Sequence, residues 1–354
     1  MKSRLSFLTL LSLLIAPCGA DAQQAGRPVR LVASLQAPVS NPFYGVSMAR
    51  FKEEVEKRSN KTLVIDIHDN AKLARDDEVV GAVSSGKVDI GITATHQYAK
   101  KVPAIAFVDQ PFLLNFPALV RAAVSPGSEI RNLIDDTILA ESGMRILWWQ
   151  SLGDTVFYSR GRDYAEPERF KGQRVGVPGR PMAVLSARCG AVPSTVPVEQ
   201  MNDALKAGSI DAVTVGLAAI FSRELWKGSD TITRTAHAAL EFLLAINEKS
   251  FQSLSPAHRT IVIEAARAVE RETRDRLAEF ETKAIGFARS KGMRVVDLTP
   301  DQVAEWRACS ADMIAEYMSK NGELARRLMA AYGRLRTDPC CSAGPNVSVA
   351  FTRR

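Results

Sequence analysis

Residues 41–112, NPFYGVSMARFKEEVEKRSNKTLVIDIHDNAKLARDDEVVGAVSSGKVDIGITATHQYAKKVPAIAFVDQPF, decide the fold. Phe43, Val46, Phe51 and Val55 recur close to helical spacing with charges on the opposite face, so 43–58 reads as an amphipathic helix. Behind it Leu63, Ile65 and Ile67 alternate as a strand over 62–67. A second helix over 76–85 is stopped by Gly86, and 88–93 reads as a second, buried strand. A short alternating run at 30–34 supplies a strand upstream, and the loop through Pro38, Ser40, Asn41 and Pro42 caps the first helix. This is a right-handed βαβ pattern with parallel strands. A ligand of such a sheet sits at the carboxyl ends of its strands, here near Gln36, Asn41 and the stretch from Thr93 through Thr95 and His96 to Gln97.

Ahead of this unit, Lys2 and Arg4 precede an apolar run over 5–17, and Ala20-Asp21-Ala22 has the small-x-small form of a cleavage site. Residues 1–22 therefore read as a signal peptide, with Gln23 as the first mature residue. The run is shorter than the roughly 20 residues of a membrane-spanning helix, and Pro17 argues against lipid attachment at Cys18. The expectation is a soluble protein of an oxidising space, a bacterial periplasm. The formal charge of +7 becomes +6 once Lys2, Arg4 and Asp21 are removed. With no Lys/Arg run, nucleic acid is not indicated as a partner. Cys189, Cys309, Cys340 and Cys341 fit no metal-ligand spacing. Pairing of a tail cysteine with Cys309 is weighed against free or intermolecular thiols.

A second α/β unit follows near Thr155, with strands over 156–159 and 174–177, a helix over 181–189 closed by Gly190, a helix over 200–207 closed by Gly208, and a strand over 210–215. Gly86-Lys87-Val88-Asp89 and Gly208-Ser209-Ile210-Asp211 repeat one device, which points to two similar lobes flanking a cleft. Ser255-Pro256 opens a segment without Pro or Gly until Gly286. Read as one helix to Lys291, it is about 50 Å long at 1.5 Å per residue and lies across both lobes; a dimeric coiled coil fits its broken heptad less well. The fold class is α/β, two-lobed, with a long spanning helix. Residues 27–152 and 242–282 form lobe I, 153–241 and 283–335 form lobe II, and 336–354 an irregular tail.

The chain resembles the solute-binding proteins of TRAP-type (tripartite ATP-independent periplasmic) transporters over nearly all of 30–335. The resemblance rests on Phe51-x-x-x-Val55-Glu56, Gly86-Lys87-Val88-Asp89-Ile90-Gly91, Val102-Pro103-Ala104, Asp109-x-Pro111-Phe112-Leu113, Phe170-Lys171-Gly172, Cys189-Gly190-Ala191-x-Pro193, Ala204-Leu205-x-x-Gly208-x-x-Asp211 and Leu254-Ser255-Pro256, in that order. It implies two lobes that close on a small organic solute and present it to membrane carrier subunits, with no ATP, metal or covalent cofactor. In the family an arginine of the second lobe holds the substrate carboxylate; here Gly176 stands at its position. Val215 replaces an assisting asparagine and Thr155 a further arginine. Losing a charge-assisted bond costs about 1.5–3 kcal/mol. Two readings follow. Arg174 or Arg180 supplies the guanidinium from a neighbouring position, or the pocket takes a bulkier, less charged cyclic or aromatic compound. In the second case Gly176, Val198, Thr214 and Val215 line the wall and Trp148 or Trp149 stacks on the ligand. Against these stand plain core for the tryptophans and a solvated loop charge for Arg180.

An enzyme needs a nucleophile, a base or a metal site. His68, His96, His237 and His258 are scattered, and His237 and His258 read as surface residues. No Gly-x-Ser-x-Gly, phosphate loop or His-Glu-x-x-His occurs. The reading is a receptor without catalysis. The alternative of a receptor that presents its closed form to a signalling partner is not separated from transport by sequence.

Overall fold

The computed structural model describes residues 27–339 and 341; the leader read over 1–22 lies outside the described residues, as does most of the tail. The first unit runs β1 (Val29–Ser34), α1 (Tyr44–Arg58), β2 (Leu63–His68), α2 (Val79–Ser85), β3 (Ile90–Ala94), α3 (Thr95–Tyr98), α4 (Pro117–Val124) and α5 (Glu129–Ser142). The long β4 (Met144–Ser159) leads to β5 (Arg174–Val177), α6 (Arg180–Arg188), β6 (Val192–Thr195), α7 (Met201–Lys206), β7 (Ala212–Gly216), α8 (Ala219–Ser222) and β8 (Thr231–Arg234). Then β9 (Ala239–Asn247) returns to the first unit, followed by α9 (Glu248–Ser253), α10 (Pro256–Asp275), α11 (Leu277–Ser290), β10 (Arg294–Asp297), α12 (Pro300–Ser310) and α13 (Asp312–Thr337).

The sheet order is β2-β1-β3-β9-β4-β7-β5-β6, with β8 on β4 and β10 on β8. β1 is parallel to β2 and β3, and β5 to β6 and β7, as the two βαβ readings require. β4 serves both lobes. Its stretch from Met144 to Asp154 pairs antiparallel with β9, and its stretch from Thr155 to Ser159 pairs with β7 and β8. One strand thereby carries the chain across the cleft floor, and β9 brings it back.

Each lobe is a sheet with apolar cores on both faces. α1 buries Met48, Phe51 and Val55 completely; Phe51 and Val55 belong to the expected apolar face, whereas Val46, counted on that face, is exposed and Met48 takes the core position instead. The three buried side chains join Trp148 and, from α10, Val262 and Val269 on one face; Trp149, Leu119, Ile134 and Leu328 fill the other. Adjacent strand residues point to opposite faces, so the tryptophan pair is divided between the two cores. The repeated Asp motif acts identically in both lobes. Asp89 Oδ2 accepts the Val32 N–H at 2.7 Å while Asp89 N–H donates to Val32 O. Asp211 Oδ2 accepts the Arg174 N–H at 2.8 Å while Asp211 N–H donates to Arg174 O.

The long helix departs from its expectation. Ser255 caps it by accepting the His258 N–H, and Pro256 takes the first position, but the helix breaks at Arg276 into α10 and α11. α10 packs on lobe I and α11, through Ala284 and Ala288, on lobe II. No residue from Arg271 to Lys283 is fully buried, so nothing holds the helix straight where it crosses. α13 crosses back, kinked at Gly322. Met313 packs on lobe II, whereas Tyr317, Leu328 and Tyr332 pack on lobe I, so the 283–335 segment does not end within the second lobe. Cys309 pairs with Cys189 and not with a tail cysteine, tying α12 to the end of α6.

Candidate functional site

The carboxyl ends of β1 and β3 face those of β5, β6 and β7 across a cavity of about 590 Å³, within the range of small-molecule sites. From lobe I come Gln36, Tyr44, the 75–77 turn, His96, Gln97, Lys100 and Asp109. From lobe II come Thr155, Pro178, Gly179, the 195–199 turn, Val215, Gly216 and Arg223; Leu152, Leu240 and Phe242 form the floor. The lobes touch at the mouth, where a Cβ built on Gly179 would lie 3.2 Å from His96 Cδ2. Phe112, in a left-handed conformation, reaches from lobe I into a core of lobe II, its N–H donating to His237 O.

The polar side chains of lobe I are held from beneath by β3. Thr93 Oγ1 donates to Asp76 Oδ1 at 2.7 Å, and Gln97 Nε2 to Asp76 Oδ2 at 3.0 Å. Thr95 Oγ1 donates to Asp109 Oδ1 at 2.7 Å. Asp109 Oδ2, Gln97 Oε1 and both amide atoms of Gln36 are buried without a partner among the described residues. Burial pushes the Asp109 carboxyl up to about 7, against the Thr95 bond. Burial lowers the His96 pKa, opposed by the Asp76 charge and reinforced by Lys100. Tyr44 is raised by burial, with Arg223 opposing, and stacks on Phe242 with ring centroids 5.0 Å apart.

Of the residues expected at the site, the cavity brings together Gln36, His96, Thr155, Val198 and Val215. Thr93 and Thr95 stand behind it as supports, and Asn41 Oδ1 accepts the Phe43 N–H as α1 begins. Neither tryptophan reaches it. Trp148 packs on Phe51, and Trp149 Nε1 donates to Asp135 at 2.8 Å. Arg174 lies at the opposite end of β5, half exposed and paired with Asp211 at 2.6 Å, because sharing a strand face with residue 176 does not bring it to the same strand end. Arg180 is exposed at the start of α6. Thr214 faces the interior, bonded to the ring of His237. That histidine is not a surface residue: it is fully buried, held by Thr214 and Thr235, stacked on Phe157 and lowered by burial to about 3. Gly176 faces Ile210 and Val213, 2.9 and 3.0 Å from a built Cβ, with Val196 of the cavity wall at 3.6 Å.

Gln97, at the end of the expected 93–97 stretch, also lines the cavity; residues the sequence reading did not place at the site are Tyr44, Asp76, Asp109, Arg223 and Phe242. A signal existed for Asp109, inside the Asp-x-Pro-Phe fragment. Arg223 and Phe242 carried none.

A family model described as bacterial extracellular solute-binding protein, family 7, matches residues 34–321. A solute-binding protein of Verminephrobacter eiseniae is 26% identical over 288 residues, 80% of this chain and 84% of that protein. Among solved structures, the Bordetella pertussis extracytoplasmic solute receptor DctP7, which binds pyroglutamic acid, superposes with a TM-score of 0.79 at 21% identity, covering 86% of this chain and 99% of that one. A TRAP periplasmic solute-binding protein of Desulfovibrio desulfuricans with bound sn-glycerol-3-phosphate gives 0.80 at 21%, covering 88% and 98%.

Proposed function

The chain belongs to the bacterial extracellular solute-binding proteins of family 7, the TRAP type, and on that premise we propose that it captures a small organic solute in the periplasm and delivers it to a TRAP-type carrier. The observation that carries this reading is the cavity of about 590 Å³ walled by strand ends of both lobes, with His96 and Gly179 meeting over its mouth. A solute that touches both walls stabilises the closed arrangement over an open one, and the carrier subunits read that arrangement. The solute-binding set is Gln36, Tyr44, His96, Gln97, Asp109, Thr155, Val198, Val215 and Arg223. Similar proteins bind small acids, pyroglutamate and glycerol phosphate among them, and an organic acid or a cyclic compound is the class proposed here.

The anchoring differs from the family's. Gly176 stands where the carboxylate-binding arginine is expected, and the space beside it is filled by Ile210 and Val213, so β5 contributes no guanidinium. Neither Arg174 nor Arg180 lines the cavity, which supports a reading in which neither takes its place.

The test is small-angle scattering of the mature protein alone and with a compound that stabilises it thermally. Compaction on binding is expected, with affinity unchanged within about twofold in Arg174→Ala and Arg180→Ala. Tight binding without compaction would end the clamp reading.

A further inference from the structure

Taking this cavity as the receptor's solute site, we propose that its solute is an amino acid in the broad sense, whose ammonium faces Gln36, Gln97 and Asp109 on lobe I and whose carboxylate faces Arg223 on lobe II. The walls are polarised. Among the lobe I side chains that line the cavity, the buried partnerless atoms are three acceptors, Gln36 Oε1, Gln97 Oε1 and Asp109 Oδ2, against one donor, Gln36 Nε2. They sit at the adjacent carboxyl ends of β1 and β3 and in the loop behind α3. Buried acceptors without donors are unfavourable unless a bound group satisfies them. An ammonium offers three donors and no acceptor, which matches that inventory; a hydroxyl offers one donor, and a second carboxylate none. Asp76 and Asp77 beside them favour positive charge.

The opposite wall carries Arg223, with Glu199 of the 195–199 turn as that wall's carboxylate, while the lobe I wall sets Arg75 and Lys100 against Asp76, Asp77 and Asp109. Arg223 ends α8, whose residues Ala219 and Ser222 also line the cavity, and its charge acts on Tyr44 across the cleft. No ion pair engages it among the described residues, whereas the cavity's Arg75 is paired with Asp77 and largely exposed. An arginine left unpaired at a cavity wall is suited to a carboxylate, which it holds through parallel N–H···O bonds. Between the poles the stacked Tyr44–Phe242 pair provides an apolar side for the carbon skeleton.

An ammonium at Asp109 has a further consequence. The Asp109 carboxyl is raised to about 7 by burial, and an adjacent cation draws it back toward the ionised form, so binding below pH 7 releases a proton. A plain acid bound at Arg223 alone does not release it.

The experiment is calorimetric titration of the mature protein with the common α-amino acids and straight-chain ω-amino acids of three to six carbons, each against the same acid lacking its amine. Titrations at pH 6 in two buffers of different ionisation enthalpy count protons. Expected are at least one amino acid that binds, its deaminated counterpart at least 100-fold weaker, and proton release that Asp109→Asn abolishes. Arg223→Met is expected to weaken the amino acid at least tenfold and Arg223→Lys less, with melting temperatures confirming that both variants fold. A deaminated acid that binds equally well, an amino acid indifferent to Arg223→Met, or a wild type that binds none of the amino acids would overturn the inference. If another compound binds and compacts the protein, this inference fails while the receptor reading stands; binding without compaction strikes the receptor reading itself.

Discussion

Gly179→Ala isolates the contact on which closure depends. The added Cβ would lie 3.2 Å from His96 Cδ2, 3.7 Å from Cγ and 3.9 Å from Cβ. Carbon contacts are comfortable at about 3.5–4.0 Å, so the ring must give by roughly 0.3 Å or more. His96 is hemmed in by Gln97 at 3.3 Å and by burial, and overpacking of this kind costs about 1–2 kcal/mol. The backbone adds nothing, because Gly179 is extended at φ −173. The loss of glycine's capping preference at the start of α6 affects open and closed forms alike and cancels from a binding comparison.

In the proposed clamp the contact of His96 with Gly179 forms on closure, so the whole cost falls on closure. At 1.4 kcal/mol per tenfold, the solute's dissociation constant is expected to rise about 5- to 30-fold, with the melting temperature of the ligand-free protein nearly unchanged. His96 lines the cavity and its removal affects binding directly, so the decisive figure is the coupling in a cycle of Gly179→Ala, His96→Ala and the double variant. If Gly179→Ala binds like the wild type, or loses as much with His96 already removed, the lobes do not close through this contact.

Three further outcomes follow from the packing. Glu270→Gln should destabilise the protein by about 3 kcal/mol in urea denaturation, because Arg131 and Arg274 both rest on this buried carboxylate; loss below about 1 kcal/mol would deny that dependence. Reduction of Cys189–Cys309, which closes a separation of 120 residues, should lower stability by about 4–5 kcal/mol on the chain-entropy account, and an unchanged melting temperature under reductant would refute it. Burial raises Glu241 to about 7, with Ser151, Arg274 and Arg131 opposing and Glu270 reinforcing. The folded state then holds a proton that the unfolded state releases near 4.5, so this contribution is full below 4.5 and is lost as pH rises through 7. Glu241→Gln should therefore gain on the wild type between pH 5 and pH 8, and equal pH slopes for the two would contradict the assignment.

The fold was legible where one side chain pattern had one solution. Phe51 with Val55 is buried by a helix, and Leu63 with Ile65 by a strand, so α1 and β2 appear within a residue of their expected starts, although Val46, read on the same helix face, is exposed. Gly86 and Gly208, both left-handed, end their helices where expected. The break at Arg276 was not legible, since residues on either side are good helix formers and the cause is a change of packing partner from lobe I to lobe II. The same holds for Cys309: its pairing depends on α12 lying against α6, a contact that no local pattern encodes.

The site was legible only through strand ends, and this explains which expectations reached the cavity. Gln36, His96, Thr155 and Val215 follow from the rule that ligands lie beyond the carboxyl ends of parallel strands or on the strand that crosses the cleft floor. Arg174 and the tryptophans were chosen by chemistry, as a guanidinium and as aromatic surfaces, and chemistry without position placed them at the wrong strand end and in two cores. The groups that polarise the cavity come from elsewhere: Arg223 from the end of the short α8, and Phe242 from β9, a strand of the other lobe. Position 176 ties these observations together. Ile210 and Val213 crowd the position of a Cβ at Gly176, while the unpaired arginine of the cavity stands at the end of α8. In the proposed arrangement the acceptor-rich lining of lobe I faces the ammonium and Arg223 the carboxylate, so that the cavity selects by both charges of the solute.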